Sequence, residues 1–354
     1  MKKTYCLLLA IFALLMLFNA CSKKNLDIDL YADYKDITVV YGLLDPGKDT
    51  NYVKINKAFL GPGNAKVFAK NPDSCNYPIG QIEAKLIEKR TSAGGSNYND
   101  VREIKLEPIM IHDKDTGIFY APEQLVYFTK AKINSNDDRF SYQYELQIDR
   151  GDTILTATTD MLGGGRFYIT TGSLNFANDG QVRWLPCDNA AVYEIIIKFR
   201  FTEISPSQDS VERCMSYSLG TFSKTSLANN MDHNQFLVTS KASLFYSKLA
   251  SFLGNDTVNP AHPENAHIDR LINAFPVGIA IAAGGEELYN YITVNGPSSS
   301  IVQNIPEYTN IKGGYGIFST RTMIETWVDL GSTQADLINN HENWRFRQGS
   351  FSKE

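Results

Sequence analysis

The sequence predicts a mainly β protein built from two sandwich-like domains, and three observations lead to this fold class. The chain contains 19 Tyr and 19 Phe, and aromatic side chains favour the pleated, half-buried surface of strands. Short segments that alternate apolar and polar residues recur along the chain with turn residues between them, as in antiparallel sheets. The length of 354 residues exceeds the ~100–200 residues of one typical domain. We therefore expect two β-sandwich domains, the second with helical insertions.

Residues 1–20 have the pattern of an export signal. Lys2 and Lys3 precede the apolar run Tyr5–Phe18, which is shorter than the ~20 residues that a membrane-spanning helix needs. Ala20 and Cys21 follow the run directly, and a small residue before Cys at this place resembles the bacterial lipobox. The resemblance implies that Cys21 carries lipid and becomes the mature N-terminus.

Lipid on Cys21 predicts a membrane-bound protein, because two or three acyl chains are enough for stable anchoring. In the lipoproteins that this segment resembles, Asp after the Cys favours retention in the inner membrane. Ser22 stands there instead, so we expect an outer-membrane lipoprotein. Lys23 and Lys24 do not match the acidic run of many surface-exported lipoproteins, and both the periplasmic and the cell-surface side stay open. Residues 21–35 are polar and suit a tether.

Residues 36–162 are predicted to form the first β-sandwich. Its strands are predicted at Ile37–Leu44, Tyr52–Phe59, Ile82–Ile87, Val101–Leu106, Tyr142–Ile148 and Thr153–Thr159. Between the last two strands, the segment Asp149–Asp152 has hairpin chemistry, because its Gly tolerates positive φ. The glycine-rich segment Leu162–Gly165 is the predicted junction with the second domain.

Residues 163–354 are predicted to form a second β domain with helical insertions. Trp184 and Pro186, followed by Ala191, Tyr193 and Ile195, resemble a strand pair of fibronectin type III domains, in which the Trp packs in the core. The resemblance implies an immunoglobulin- or fibronectin-like sandwich. Further strands are predicted at Phe167–Thr170, Val182–Trp184, Val192–Phe201, Phe275–Ala283 and Gly316–Phe318. Helices are predicted after the N-cap Ser240 through Leu253, at Glu286–Thr293, and from Pro263 with the stripe Ile268, Leu271 and Ile272.

The charge and the cysteines restrict the functional classes. A net charge of −5 argues against a nucleic-acid partner, which requires a positive surface. After export, Cys75, Cys187 and Cys214 remain in addition to the lipidated Cys21. Cys187 and Cys214 could form a disulfide in an oxidising compartment, and three free thiols are the open alternative.

Catalytic and metal-binding motifs are sparse. The sequence has no GxSxG, no Walker loop, no HExxH and no CxxC. His262, Glu264 and His267 are the closest group of ligand-type residues, but their spacing does not make three ligands converge on one ion. We expect no metal and no cofactor. Asp113–Gly117 lacks the distal Glu of a calcium loop and is interpreted as a turn.

Three triplets of Asp, Ser or Thr and an apolar residue resemble the O-glycosylation acceptor of Bacteroidota. Their hydroxyl residues are Thr153, Ser210 and Thr257. All three fall at predicted turns or strand edges, where a glycan can be accommodated.

Four aromatic residues are candidates for sugar contacts, because flat rings stack on sugar faces. They are Trp327, Trp344, Tyr308 and Tyr315. Trp184 and Trp327 lie in apolar alternation and are predicted to be core residues, whereas Trp344 is predicted to be exposed.

The segment Tyr308–Arg321 resembles the Asn-Ile-x-Gly-Gly-x-Gly-hydrophobic-Phe segment of a family of uncharacterised Bacteroidota lipoproteins. Val39–Leu44 and Tyr52–Ile55 are similar to the start of the same family. The resemblance implies a sandwich-type N-terminal region and an association with outer-membrane receptor systems, and it assigns no catalytic residue. The glycines of the motif suit a tight turn into a buried strand.

The sequence leaves three functional hypotheses. The first is a lipid-anchored cell-envelope module that binds another envelope protein, such as an outer-membrane receptor or transport protein, or a glycan, without catalysis. The second is an envelope glycoside hydrolase or another carboxylate-based hydrolase, because two carboxylates brought together in space leave no local motif. The third is a structural or adhesive spacer.

Overall fold

A computed structural model describes residues 37–58, 64–163, 166–204, 209–229, 231–254, 269–272, 274–296, 307–330, 338–339 and 344–349. In these ranges the chain is mainly β, as the sequence predicts. The strands are β1 Ile37–Leu44, β2 Asn51–Ala58, β3 Glu83–Ser92, β4 Asn99–Ile111, β5 Gln124–Thr129, β6 Phe140–Asp149, β7 Ile154–Asp160, β8 Gly180–Trp184, β9 Val192–Ile204, β10 Ser210–Ser223, β11 Met231–Asp232, β12 Gln235–Ser240, β13 Asp269–Ile272, β14 Val277–Gly284, β15 Tyr315–Val328 and β16 Phe346–Gln348. The helices are α1 Ala65–Phe68, α2 Pro72–Cys75, α3 Lys224–Ala228, α4 Ala242–Leu253 and α5 Glu286–Asn295.

Most strands belong to one large mixed sheet of 13 strands. Its order is β16-β13-β9-β14-β15-β1-β2-β5-β4-β3-β6-β7, with β10 paired to β9. β1 runs parallel to β15, and Val39 lies opposite Tyr315 at the start of the register. The sheet therefore continues from the N-terminal half into the C-terminal half, a connection that the sequence did not predict. A smaller sheet has the order β11-β12-β8.

Two clusters of buried apolar side chains lie along this sheet. One contains residues of β1–β7 together with Ile311 and Phe318, and the other extends from Leu162 to Phe346. Within the second cluster, β9 shows the alternation of a strand with one buried face: Tyr193, Ile195, Ile197, Phe199 and Phe201 are all fully buried. The change from one cluster to the other along the chain falls between Met161 and Leu162.

The glycine motif before and within β15 has a structural explanation. The Asn310 side chain accepts a hydrogen bond from Phe318 N at 2.9 Å and donates one to Phe318 O at 2.6 Å, so it replaces a strand neighbour. A Cβ atom at Gly316, whose φ is +109°, would lie 2.0 Å from Val40 O on the adjacent strand. A Cβ atom at Gly314 would lie 2.8 Å from Thr38 O. The glycines thus allow β15 to pack against β1, while Phe318 enters the first core.

Several sequence predictions need correction. Leu271 and Ile272 lie in strand β13, between β9 and β16, and not in a helix; Pro263 and Ile268 lie outside the described residues. Phe167–Thr170 forms only an isolated bridge, between Ile169 and Trp184.

The two other predicted helices are present as α4 and α5. The N-cap of the first helix is Lys241 and not Ser240, the predicted cap, and both helices end within two residues of their predicted ends. None of the helices in the described part of the chain has the length and apolar character required to cross a bilayer.

The burial of the three tryptophans differs in part from the prediction. Trp184 is fully buried, as expected, and its ring centre lies 5.8 Å from that of Tyr193. Trp344 is also buried, with 1% exposure, and the prediction that it is exposed is wrong. Trp327 is half-buried, and the Arg200 guanidinium lies 4.3 Å from its ring centre.

Candidate functional site

A cavity of about 470 Å³ opens beside β2, and we call it the β2 cavity. Its volume lies within the ~300–1,000 Å³ that is usual for small-molecule sites. The lining residues come from β1, β2, the end of α2 and the segment before β5: Val39, Tyr41, Lys54, Asn56, Lys57, Ala58, Cys75, Asn76, Lys114, Phe119, Tyr120, Glu123 and Gln124.

The first wall is the outer face of β1 and β2. The inner-face residues of β2 alternate with outer-face residues, so Val53 and Ile55 enter the core while Lys54 and Asn56 face the cavity. Tyr41 lies directly opposite Lys54 in the β1–β2 register, which places their side chains next to each other.

The second wall is the segment between β4 and β5. Lys114 N donates to Pro122 O at 3.2 Å, and Tyr120 N donates to Ala69 O at 2.8 Å, so this loop is closed and held against the end of α1. The Lys114 ammonium donates to Tyr120 O at 2.7 Å. Gln124 begins β5 and accepts a hydrogen bond from Lys54 Nζ at 3.0 Å.

Asn56 connects the strand wall to α2 and leaves one acceptor unused. Its amide nitrogen donates to Cys75 O at 2.9 Å and to Asn76 Oδ1 at 3.0 Å. Its amide oxygen is buried and has no hydrogen-bond partner. A buried acceptor without a donor costs ~1–3 kcal/mol.

The β2 cavity contains more positive than negative side chains. Lys54, Lys57 and Lys114 are all half-buried, and within the described ranges none of their ammonium groups has a carboxylate oxygen within 4.0 Å. Glu123 is the one carboxylate of the lining. It already accepts from Tyr120 Oη at 3.1 Å and lies 3.6 Å from His112 Nδ1.

The crowding of these groups changes two pKa values. Burial lowers the pKa of Lys54 below its usual value, and the nearby Lys114 charge lowers it further. Burial raises the pKa of the Cys75 thiol, and the three lysines oppose that rise. The thiol therefore stays protonated near neutral pH and does not supply a compensating negative charge.

Aromatic rings flank the charged groups. Tyr41 is 46% exposed, and the Tyr291 ring of α5 lies edge-on to it with ring centres 6.4 Å apart. Phe119 is 55% exposed, and the Lys114 ammonium lies 5.7 Å from its ring centre. A ligand that enters the cavity thus meets ring faces, ammonium groups and amides together.

Two buried carboxylates elsewhere are fully engaged. Glu88 is 4% exposed and accepts from Arg102 at 2.5 Å, from Tyr144 Oη at 2.6 Å and from Asn134. Glu203 lies 3.0 Å from Arg270 Nε and 3.3 Å from an Arg213 nitrogen. Because arginines neutralise both carboxylates, we interpret these groups as structural ion pairs.

Glu287, in the first turn of α5, is different. Thr159 Oγ1 donates to its Oε2 at 3.0 Å, and Ser319 Oγ lies 3.2 Å from the same oxygen. Burial raises the pKa of Glu287, its hydrogen bonds oppose the rise, and the negative charge of Asp160 adds to it. Glu287 is therefore a carboxyl group with acid–base character at the contact of α5 with β7 and β15.

The structure places the predicted glycosylation and lipid sites as follows. Thr153 is exposed in the turn before β7, and Ser210 is exposed as the first residue of β10. Thr257 and Cys21 lie outside the described residues.

Cys187 and Cys214 are free thiols in the structure, which therefore has no disulfide between them. Cys214 lies opposite Arg200 of β9, whereas Cys187 N donates a hydrogen bond to Tyr193 Oη. Tyr193 and Arg200 are seven residues apart along β9. At ~3.3 Å per residue these points are ~23 Å apart, and a disulfide requires Cα atoms within ~7 Å.

Within the described ranges, no group of three or more His, Cys, Asp and Glu is arranged to hold a metal ion. His262, Glu264 and His267 lie outside these ranges.

None of the residues predicted to contact a ligand lines the β2 cavity. Of the four aromatic candidates, Tyr315 lies opposite the lining residue Val39 in the β1–β15 register. One feature of the sequence does correspond to the cavity wall. Tyr52, Lys54 and Asn56, at every second position of β2, form the outer face of this strand.

No protein-family model matches the chain, and no curated protein sequence matches it.

Proposed function

We propose that the chain is a lipid-anchored binding module of the bacterial cell envelope and that it holds a glycan in the β2 cavity without catalysis. The observation that carries the proposal is a cavity of about 470 Å³ in which exposed rings, ammonium groups and side-chain amides converge. Rings stack on the apolar faces of sugars, while amides and ammonium groups bond their hydroxyls.

The anchoring part of the proposal rests on the N-terminal sequence. The order of a basic start, an apolar run, Ala20 and Cys21 supports lipid attachment, and Ser22 supports the outer membrane. The resemblance of Tyr308–Arg321 to a family of Bacteroidota lipoproteins supports the same location.

The finer architecture is also a proposal. We infer two sandwich-like units, residues 36–162 and 163–354, the second with α3–α5 as helical insertions. The first unit would surround the first core cluster, to which Ile311 and Phe318 of the second unit also contribute, and the second unit would surround the other cluster. In the first unit, the start of β4 pairs with β3 and the end of β4 pairs with β5. A strand that bends between two such pairings can connect the two layers of a sandwich.

The glycan proposal is tested on an array of bacterial and host glycans, with the full chain purified in mild detergent. Tyr41→Ala and Phe119→Ala should each weaken binding of the best ligand about fivefold or more, because a stacked ring contributes ~1 kcal/mol or more. Tyr168→Ala is the matched control, since Tyr168 is 52% exposed and does not line the cavity. Absence of binding to every glycan, or equal loss in the control, would contradict the proposal.

A protein partner is the second candidate, and a specific surface favours it. Tyr41, Tyr52 and Tyr315 lie on adjacent strands and are 46%, 50% and 45% exposed. Tyrosine is enriched at the centres of protein interfaces. Co-purification of the native lipoprotein from membranes, compared with a Tyr52→Ala variant, would recover an outer-membrane receptor or transport protein only if this candidate is right.

The hydrolase hypothesis has one observation in its favour, the raised pKa of Glu287 near Asp160. Glu287 does not line the β2 cavity. Release of reducing sugar from glycans bound on the array, abolished by Glu287→Gln, would establish hydrolysis and contradict the proposal of a non-catalytic module. The third hypothesis, a spacer without a ligand, predicts no specific binding in either the array or the co-purification.

A further inference from the structure

We infer that the β2 cavity selects an acidic saccharide, meaning a sugar that carries a carboxylate or sulfate group, and that Lys54 and Lys114 bind this group. The inference rests on the proposed function and names the class of ligand within it. It follows from the charges of the lining residues, from the N–H donors that the lysines do not use, and from the aromatic rings and amides beside them.

The cavity has the opposite charge to the protein. The whole chain carries −5, whereas the lining contains three lysines and one glutamate. A cleft that concentrates one sign of charge raises the local concentration of ions of the other sign. In a chain of net negative charge, such a cavity is a place where an anionic ligand is held selectively.

The lysines retain hydrogen-bond donors for a ligand. An ammonium group has three N–H donors. Lys54 donates one to Gln124 Oε1 and Lys114 donates one to Tyr120 O, and both acceptors are uncharged. Each ammonium therefore keeps donors that can bind a carboxylate or sulfate oxygen.

The arrangement of like charges is itself unfavourable without an anion. Lys54 and Lys114 are close enough to repel each other, and both are half-buried. Within the described residues, neither ammonium group forms an ion pair with Glu123, the one carboxylate of the lining. An anionic group between the two ammonium groups would remove this repulsion, since charge-assisted hydrogen bonds are about twice as strong as neutral ones.

A sugar fits the rest of the cavity better than a small inorganic anion does. The lining includes the side-chain amides of Asn56, Asn76 and Gln124, and amides form hydrogen bonds with sugar hydroxyls. Tyr41 and Phe119 present exposed rings at the same cavity, which suit a sugar face. A free sulfate ion would bind the lysines and leave both rings without a contact.

The test compares an oligouronide with its carboxyl-reduced, neutral counterpart by titration calorimetry on the full chain in mild detergent. The acidic form should bind about tenfold more tightly or better, as expected for hydrogen bonds to a charged group. Lys54→Gln and Lys114→Gln should each remove most of this preference, which is measured as the ratio of the affinities for the acidic and the neutral form. A sulfated oligosaccharide of the same length distinguishes carboxylate from sulfate as the preferred group.

Lys198→Gln is the matched control, because Lys198 is also half-buried but pairs with Glu325 at 2.6 Å outside the cavity. Melting curves of all variants verify that they are folded. Equal affinity for acidic and neutral forms, or an acid preference that survives in both lysine variants, would overturn the inference while the proposed function stands. Full displacement of the oligouronide by inorganic sulfate at equal concentration would also overturn it. Absence of binding to any saccharide would instead overturn the proposed function.

Discussion

Substitution of Gly316 by alanine should disrupt the connection between the two halves of the large sheet. Gly316 lies opposite Val40 in the parallel β1–β15 register, and its φ is +109°. A Cβ atom would lie 2.0 Å from Val40 O and 2.9 Å from Val40 C, both backbone atoms. Rotation of a side chain cannot relieve this contact, so β1 and β15 must move apart.

Two contributions give the expected magnitude. A residue other than glycine in this backbone conformation costs ~1–3 kcal/mol. If two ladder hydrogen bonds beside Gly316 are lost at ~0.5–1.5 kcal/mol each, they add ~1–3 kcal/mol. The free energy of unfolding should therefore fall by ~2–6 kcal/mol, a large share of the ~5–15 kcal/mol of an ordinary domain.

The assay is urea unfolding followed by circular dichroism, with two comparison variants. Gly172→Ala has open space around its Cβ position and should change the free energy of unfolding by less than ~0.5 kcal/mol. Gly313→Ala has φ of +85° but only an ordinary contact at 3.6 Å, so backbone strain alone predicts a loss of ~1–2 kcal/mol. A Gly316→Ala variant as stable as Gly172→Ala would refute the reasoning.

Three further predictions concern titration, thiols and anchoring. The raised pKa of Glu287 means that the folded state binds its proton more tightly than the unfolded state, so wild-type stability falls as pH rises through that pKa. Glu287→Gln should therefore be more stable than wild type at pH 7, and the difference should shrink toward pH 4; a gap independent of pH would contradict this. Exposed Cys214 should react with a maleimide in the native protein, whereas burial and a pKa raised to about 12 should protect Cys187, and equal labelling would be the contrary result. Cys21→Ser should leave the membrane fraction or accumulate as an uncleaved precursor, and unchanged processing and fractionation would exclude lipid at this residue.

Local patterns predicted the strands whose faces differ in polarity. β1 matches its predicted bounds, and β2 and β9 match theirs closely, because their apolar and polar residues alternate. β5 was missed because three consecutive residues, Leu125–Tyr127, are buried and the alternation is lost. β10 was missed because most of its residues are exposed or half-buried and it pairs with β9 alone.

Long-range pairing explains the remaining differences. Leu271 and Ile272 fit a helical stripe, but pairing with β9 and β16 places them in a strand. The parallel pairing of β1 with β15 joins strands near opposite ends of the described chain, and no local sequence pattern predicts it. The β2 cavity depends on the same kind of contact, because Tyr41 and Lys114 come together only through the folded sheet and its loops.

The most direct test of the central claim is hydrogen exchange of the full chain with and without its best-binding acidic oligosaccharide. Ligand in the β2 cavity should slow exchange in peptides that cover Tyr52–Ala58 and Lys114–Gln124, because it excludes water from both walls. A peptide from β10, on the other half of the large sheet, should exchange at an unchanged rate. Protection confined to these two segments is the result that the account predicts. Protection elsewhere, with both cavity segments unchanged, would contradict it.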